Sequence, residues 1–466
     1  MKFWQPTALA LALAAAFPTL AVAQSNADLV TELKALKDRI GQLEEKLKAA
    51  DAAAKPPEKQ WGMTPEQAAE QNRIRVKTES IEDNLEAQGY KGLKINGQMD
   101  PTYLYNRAQS RAGFQFLNAV GDDGYNYDNS YFGMAMIDFQ KEMEGGTRWR
   151  LTLAPNRGVG SVFDGQSIVH EASVSVPLTD LQTRLIAGQI PDWSGYEYLA
   201  PTQNKLITHN LLFDFTLPTA YTGAGLEITS GKWIVKGVVA NMNASKRAAG
   251  EKTPMIAYRV DYSRGEYQGF GFAGVHGKAA NLRGLDDTTT SGLAANPVTG
   301  LDYSGADTAL NMLEVDGYFI RGDWTLQGQV SVGKQKNAAV TADPITGDLR
   351  NSQWWGASGL AAFKFTPRLE GIARLDYINN KKNGGGLLGY TAADGRNGIG
   401  PDVAGDPEVG ANRYALAFGM QYLFNLNTTF KAEYRMDRAS LPVFEYGTGS
   451  FKKTNHLLGG SMVLSF

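Results

Sequence analysis

The sequence contains no cysteine, only four histidines and, beyond its first residues, no long apolar run. Without cysteine the chain forms no disulfide bond and uses no thiolate in catalysis or metal binding. A membrane-spanning helix needs about twenty consecutive apolar residues, and no later segment approaches that length. The formal net charge of −2 provides no basic excess, which argues against nucleic-acid binding. These absences do not separate a soluble all-β protein from a membrane barrel.

Recognisable catalytic and metal-binding motifs are also missing. The histidines, His170, His209, His276 and His456, are scattered along the chain, and no His-Glu-x-x-His pattern occurs. No Gly-Lys pair is followed by Ser or Thr, as a phosphate-binding loop requires. We therefore expect no enzyme activity, no metal site and no cofactor.

The first 23 residues have the pattern of a secretory signal peptide. Lys2 supplies the positive charge, Ala8–Ala16 supplies an apolar core, and Ala21–Ala23 supplies the small residues that precede cleavage. Pro18 interrupts the core, which is too short for a membrane anchor of about twenty residues. We expect this segment, residues 1–23, to be removed during export.

A heptad repeat occupies residues 24–50, and its spacing predicts a coiled coil. The apolar seam consists of Leu29, Leu33, Leu36, Ile40, Leu43 and Leu47. Three heptads favour association over a lone amphipathic helix, and Arg39–Glu44 resembles the signature of parallel trimeric coiled coils. Residues 51–92 are expected to form a proline-containing linker followed by a polar helix that Thr64 caps.

Over residues 93–466 the hydrophobic period is two, and sixteen strands can be read between turns rich in Gly, Pro, Asn and Asp. Short connections, such as 230–232, alternate with long ones, such as 106–130, 191–219 and 379–411. Short turns on one rim and long loops on the other are typical of outer-membrane barrels. The pattern predicts an all-β fold, a 16-stranded antiparallel transmembrane β-barrel preceded by a short periplasmic α-helical coiled coil.

The two faces of each predicted strand differ in chemistry. Tyr434 and Met436 alternate with Glu433 and Arg435, for example. Such charges would be costly in a dry sandwich core but are stable in a water-filled lumen. The terminal strand ends on Phe466, which resembles the carboxy-terminal signature of bacterial outer-membrane barrels. We expect the barrel to lie in the bacterial outer membrane, in contact with its lipid, with the amino-terminal segment in the periplasm.

The layout also resembles known porin families. The strand count resembles trimeric porins, in which the third long loop folds into the lumen and narrows it. The third long connection of this chain is residues 191–219. This connection and the residues just after it resemble the corresponding stretch of the OmpL-like β-barrel porins. The residues that carry the resemblance are Gly195-Tyr196-Glu197, Asn204, Phe213, Pro218 and Thr222-Gly223. The coiled coil resembles the amino-terminal extensions of sucrose porins and DcaP-like trimeric porins, and the whole chain resembles a proteobacterial porin family with that layout. The resemblance implies a homotrimeric, passive diffusion channel for small hydrophilic solutes.

Charged side chains at the constriction are expected to set selectivity. The candidates from the loop are Asp192, Glu197, Lys205, His209 and Asp214, and those from the wall are Arg148, Arg150, Arg184, Arg259, Arg374, Arg413 and Arg435. Arg374, Arg413 and Arg435 lie on successive strands, where a basic ladder would mildly favour anionic solutes. Carboxylates on the same face, such as Glu433 and Asp437, leave open that the arginines are structurally paired.

The alternatives to a channel are an envelope tether and an outer-membrane hydrolase. The periplasmic helices would make the chain an envelope tether if they hold the barrel to the cell wall. An outer-membrane hydrolase would need a Ser/His or Asp/His cluster at a barrel rim, and the sequence points to none.

Overall fold

The computed structural model describes residues 26–53, 64–116, 132–154, 168–244, 252–280, 307–388, 393–401, 405–447 and 449–466. The predicted signal peptide and the proline-containing linker lie outside the described residues. The chain divides into two compact units, with the boundary between Lys91 and Gly92.

The amino-terminal unit contains helices α1 (Asn26–Ala53) and α2 (Pro65–Ala87). Thr64 caps α2 with a reciprocal pair of hydrogen bonds: the Gln67 N–H donates to Thr64 Oγ1 at 3.3 Å, and the Thr64 N–H donates to Gln67 Oε1 at 3.1 Å. No described helix combines the length and apolar character that crossing a bilayer requires.

The heptad seam lies on α1. Leu36, Ile40 and Leu43 are exposed in the single chain. The side chains of Leu29, Leu33 and Leu47 lie outside the described residues. An apolar stripe open to water on a helix of this kind is available to a partner.

The second unit is a closed antiparallel barrel of sixteen wall strands, as the sequence predicts. Eighteen strand segments form the sheet, because the first two wall strands are each split into two segments, β1 with β2 and β3 with β4. The segments are β1 (Leu93–Met99), β2 (Thr102–Asn106), β3 (Arg111–Gln115), β4 (Ala135–Glu142), β5 (Arg148–Leu153), β6 (Val169–Pro177), β7 (Thr183–Pro191), β8 (Ala220–Ser230), β9 (Trp233–Met242), β10 (Met255–Ser263), β11 (Gln268–Ala280), β12 (Asp307–Arg321), β13 (Trp324–Gln335), β14 (Ser352–Thr366), β15 (Leu369–Asn379), β16 (Arg413–Asn425), β17 (Thr428–Ala439) and β20 (Thr454–Ser465), with a separate hairpin β18 (Phe444–Glu445) and β19 (Phe451–Lys452).

The terminal strand closes the barrel. β20 pairs with β17 on one side and with β1 and β2 on the other. Phe466 donates its backbone N–H to the Gly97 carbonyl at 3.0 Å and accepts the Gly97 N–H at 3.2 Å. Closure leaves no unpaired sheet edge, which a lipid environment requires.

The first predicted long loop, 106–130, is wrong in position. A tight turn, 107–110, joins β2 to β3, and the long insertion instead interrupts the second wall strand between β3 and β4. At the end of the insertion, Gly133 has a φ of 67°, and a Cβ there would lie 2.1 Å from the Gln115 carbonyl oxygen. The five residues of β3 were too short an alternating run to distinguish from a loop.

The barrel exterior is apolar. Large apolar side chains are exposed along the strands, including Val239, Val330, Leu375, Phe418 and Leu458, and aromatic ones are exposed beside the short turns, including Trp233, Trp324, Phe365, Tyr422 and Phe430. Most buried charged side chains lie on the opposite, inward face. An apolar exterior with aromatic rims and a polar interior is the architecture of a transmembrane β-barrel.

Candidate constriction site

The segment between β7 and β8, residues 191–219, lies inside the barrel, and we call it the lumen loop. Its Thr202 Oγ1 donates to Gln98 Oε1 of β1 at 2.6 Å. The Trp193 carbonyl accepts from Arg259 Nη1 of β10 at 2.7 Å. Because these wall strands are well separated around the barrel, the loop crosses the lumen.

A short helix inside the lumen loop supplies its apolar contact with the wall. In this helix, α3 (Leu211–Phe215), the Asn210 Oδ1 accepts hydrogen bonds from the Leu212 and Phe213 N–H groups at 2.9 Å each. Leu211, Leu212 and Phe215 are buried with side chains that include Leu310, Met312, Trp354 and Ile378. This side of the lumen is therefore a packed core.

Two buried arginines, Arg374 of β15 and Arg435 of β17, hold the backbone of the lumen loop, and we call them the arginine clamp. Arg374 donates to the Thr208 carbonyl at 2.6 Å and the His209 carbonyl at 2.8 Å, and its Nη1 is 2.8 Å from Glu197 Oε1. Arg435 Nη1 donates to the same His209 carbonyl at 2.6 Å. Both side chains have no exposed surface.

Carboxylates on the wall neutralise the clamp and hold the same stretch of loop. Glu433 Oε2 accepts the N–H groups of Ile207 at 2.7 Å and Thr208 at 2.8 Å. Asp376 lies 3.1 Å from Arg374, and Asp437 lies 3.0 Å from Arg435. A buried charge is stable only when it is paired and hydrogen-bonded, so loop and wall depend on each other.

Two lysines hold the preceding part of the lumen loop. Lys205 Nζ lies 2.8 Å from both Glu370 carboxylate oxygens. Lys431 Nζ donates to the carbonyls of Pro201 at 2.7 Å and Asn204 at 2.6 Å. The loop is thus fixed at several points along its length.

Arg413, the third member of the predicted ladder, is buried in a different way. Its Nη2 lies 3.1 Å from Asp437 Oδ1, and its guanidinium carbon lies 5.6 Å from the Phe215 ring centroid and 4.7 Å from that of Phe444. Arg374, Arg413 and Arg435 occupy successive strands, but carboxylates, loop carbonyls and aromatic rings cover them. Their burial favours structural pairing over a ladder open to solutes.

Other predicted site residues are also enclosed. Arg184 donates to the Gly146 carbonyl and to Ser175 Oγ, both at 2.6 Å, near a short turn. Asp214 is buried in α3. Burial lowers the pKa of His209 to about 3, so its ring is neutral at physiological pH. Asp192 and Glu197 differ, because both line a cavity between the loop and the wall; burial raises the pKa of Asp192 to about 6.

Two adjacent cavities lie between the lumen loop and the wall around β4–β9, and the second of them reaches Glu197, the partner of Arg374. The first, the vestibule, has a volume of about 420 Å³ and begins near the short turns. The second, the constriction cavity, has a volume of about 240 Å³ and is lined on one side by the loop. Both are lined by Arg150, Glu171 and Trp193.

Arg150 of β5 is the charged centre of this region. Its Nε lies 2.8 Å from Asp138 Oδ1, and its Nη1 lies 3.2 Å from Glu171 Oε2. Its side chain is 44% exposed, whereas that of Arg374 has no exposure. Arg150 is therefore a predicted wall arginine with access to the cavity water.

The partners of Arg150 were only partly foreseen, because Asp138 is not among the site residues predicted from the sequence. The signal was the register of three neighbouring strands, because Asp138 pairs with Thr152 and Thr152 pairs with Glu171. That register places both carboxylates beside Arg150. Of the other predicted wall arginines, Arg148 lines the vestibule, and Arg259 is bound to Asp316 at 2.6 Å.

Within the part of the chain that the structure describes, no cluster of three or more His, Asp or Glu side chains is arranged to hold a metal ion.

A closed 16-stranded barrel with a loop folded into its lumen places the chain among the β-barrels of the outer-membrane type. The chain belongs to the family described as "Protein of unknown function (DUF3138)", whose model matches residues 64–466. This match does not confirm the finer resemblance to OmpL-like and DcaP-like porins. A comparison with curated proteins gives no match.

The chain is similar to several solved structures. OmpT, an outer membrane protein of Vibrio cholerae, in its trimer form, is 12% identical with a TM-score of 0.49, over 80% of this chain and 99% of that chain. An anion-selective porin from Comamonas acidovorans is 10% identical with a TM-score of 0.46, over 80% of this chain and 99% of the porin chain. OmpF of Salmonella typhi in complex with daunomycin is 12% identical with a TM-score of 0.47, over 80% of this chain and 97% of the OmpF chain. At identities and TM-scores this low, no function of these proteins can be transferred to this chain.

Replacing Glu433 with Gln is expected to loosen the lumen loop. The amide keeps one acceptor oxygen for the N–H groups of Ile207 and Thr208, but it loses the negative charge that strengthens both bonds and the second acceptor oxygen, to which Thr208 Oγ1 donates at 2.5 Å. We expect faster hydrogen–deuterium exchange at both amides and a loss of about 1–3 kcal/mol in the free energy of unfolding. The control is E227Q, because Glu227 pairs with Lys236 at 3.2 Å on the wall. Equal exchange at the two amides in both variants would contradict the anchoring role.

Proposed function

We propose that the protein is a passive outer-membrane channel for small hydrophilic solutes. The observation that carries this proposal is the pair of water-accessible cavities beside the anchored lumen loop, which share Arg150 and Glu171. A sixteen-stranded barrel is wide enough to hold an aqueous channel. Diffusion through such a channel needs no catalytic step and no energy coupling.

A mild preference for anions follows from the vestibule, not from the buried ladder. The basic side chains that line it are Lys94, Lys141, Arg148, Arg150 and Lys236, and the acidic ones are Glu142, Glu171 and Glu227. The basic groups outnumber the acidic groups by two, and a cleft with an excess of one sign concentrates the opposite ion. The narrower constriction cavity is lined by Arg150 together with the carboxylates of Glu171, Asp192 and Glu197, so the basic excess is confined to the vestibule and the preference is mild.

Planar-bilayer recording tests the channel and its selectivity together. The wild-type protein is expected to give stepwise, ohmic conductance, and in a salt gradient R150Q should shift the reversal potential towards cations. E171Q should shift it towards anions, because it removes the opposing charge.

The control for these variants is R321Q, at the exposed end of β12 beside a short turn, which should leave the potential unchanged. If the wild-type protein gives no conductance in planar bilayers, the channel proposal is wrong. Equal potentials for R150Q and E171Q would overturn the assignment of selectivity to this pair.

We further propose that α1 associates with α1 of other copies and assists a homotrimer. Leu36 is 60% exposed and Ile40 is 52% exposed in the single chain, although both are seam positions. The same exposed seam is what an envelope tether would use, so the tether remains the second candidate function.

The absence of cysteine allows a direct test of this association. L36C, at a seam position, is expected to form disulfide-linked dimers under oxidation, because seam residues of neighbouring helices face each other. D38C lies two residues further on, at the outermost heptad position, and should form none. Both variants are compared by non-reducing electrophoresis of the full-length protein. Equal yields of disulfide-linked dimer in the two variants would contradict a coiled coil. In a separate experiment, residues 26–60 are deleted. Release of the barrel from the cell wall in that variant would favour the tether.

A further inference from the structure

A row of polar and basic side chains crosses the barrel exterior near the long-loop rim. Register pairs join its members: His276 with Asn311, Asn311 with Lys334, and Lys334 with Gln353. Lys382 Nζ donates to Gln353 Oε1 at 3.3 Å, which extends the row beyond β15. We define the outer row as His276, Asn311, Lys334, Gln353, Lys381 and Lys382.

Burial shows that the outer row faces away from the lumen. Asn311 is exposed between the buried Leu310 and Met312 of β12. Lys334 is exposed between the buried Gly333 and Gln335 of β13. Alternation along a strand places successive side chains on opposite faces. The outer row therefore belongs to the same face as the exposed apolar band.

The outer row ends abruptly at apolar side chains. Leu313, Val332 and Trp355 are the next outward-facing residues towards the middle of the barrel, and each is almost half exposed. They are also register partners across β12, β13 and β14. Tyr377 packs against Trp355 with ring centroids 5.0 Å apart. This change from aromatic and aliphatic to basic side chains is typical of a membrane–water interface.

The height of the outer row agrees with that placement. Lys334 lies ten residues along β13 from the exposed Trp324, which adjoins a short turn. At about 3.4 Å per residue and a tilt of about 40°, this separation is about 26 Å along the barrel axis. The apolar band of such barrels is about 25 Å tall. Trp324 and Lys334 therefore mark the two interfaces.

The outer row has unbalanced positive charge. It borders a groove of about 680 Å³ that Lys334, Lys381 and Lys382 line together with Leu313 and Trp355. No Asp or Glu occurs among the described residues that line this groove. Within the described part of the chain, Lys334 and Lys381 form no salt bridge.

We propose that the outer row binds the phosphate groups of an outer-leaflet lipid, whose acyl chains lie on Leu313, Val332 and Trp355. Lysines near a membrane surface attract anionic headgroups, and the apolar residues directly beneath accommodate hydrocarbon. A second copy of the chain fits less well, since it would have to bring carboxylates to this face. The proposal depends on the barrel being embedded in a membrane and is independent of channel activity.

The test compares lipid binding by two triple variants of the full-length protein in detergent. K334Q/K381Q/K382Q removes three charges from the outer row, and K232Q/R264Q/R368Q removes three exposed charges at short turns. Native mass spectrometry measures binding of a diphosphorylated glucosamine-based lipid, with phosphatidylcholine and inorganic phosphate as comparison ligands. We expect at least tenfold weaker binding of the diphosphorylated lipid in the outer-row variant and unchanged binding in the control.

Several outcomes would overturn the proposal. Equal loss in both triple variants would indicate nonspecific charge attraction, and equal binding of inorganic phosphate would exclude a lipid site. A changed oligomeric state with unchanged lipid binding would identify the outer row as a contact between copies. If the triple variant of the outer row does not fold, the single variant K334Q is measured instead. Undiminished binding of the diphosphorylated lipid by K334Q would contradict the proposal.

Discussion

The structure depends on buried charges that neither the wall nor the lumen loop could satisfy alone. Each buried ion costs several kcal/mol of desolvation unless its hydrogen bonds and countercharges are complete. Asp376 and Asp437 supply the countercharges for Arg374 and Arg435, and the carbonyls of Thr208 and His209 supply acceptors from the loop. If the loop left the wall, two guanidinium groups would lose these acceptors inside the barrel.

This mutual dependence makes the lumen asymmetric. The side formed by β14–β17 is filled by α3, by apolar side chains and by paired charges. The side formed by β4–β9 retains the vestibule and the constriction cavity. Charge and access are therefore separated: the most buried arginines position the loop, while the exposed Arg150 faces the cavity. Selectivity should follow the few charges that water reaches, not the total number of charges on the inward face.

Most of the wall could be predicted from the sequence because each strand is a local pattern with a period of two. Residues 220–230 form a strand with the predicted ends, and Phe466 closes the barrel against Gly97. The first loop could not be placed, because the short alternating run Arg111–Gln115 precedes the insertion and is followed by a second half-strand.

The site residues were only partly predictable, and the reason is physical. Alternation places Arg374 and Arg150 on the same inward face, and nothing in their local sequence separates them. Their difference arises from where the lumen loop lies, which depends on contacts between residues far apart in the chain, such as Glu433 with Thr208. The strand register, rather than the composition, would have brought Asp138 and Glu171 to Arg150.

Thiol accessibility in this cysteine-free chain tests the division of the lumen most directly. Ser173 and Ser358 are matched, because each Oγ donates to a wall carboxylate, at 2.6 Å to Glu171 and at 2.7 Å to Asp376. Ser173 lines the vestibule, whereas Ser358 is buried beneath Tyr196 of the lumen loop. A charged methanethiosulfonate reagent should reduce the single-channel current of S173C and leave that of S358C unchanged. Block of S358C with no effect on S173C would contradict the account.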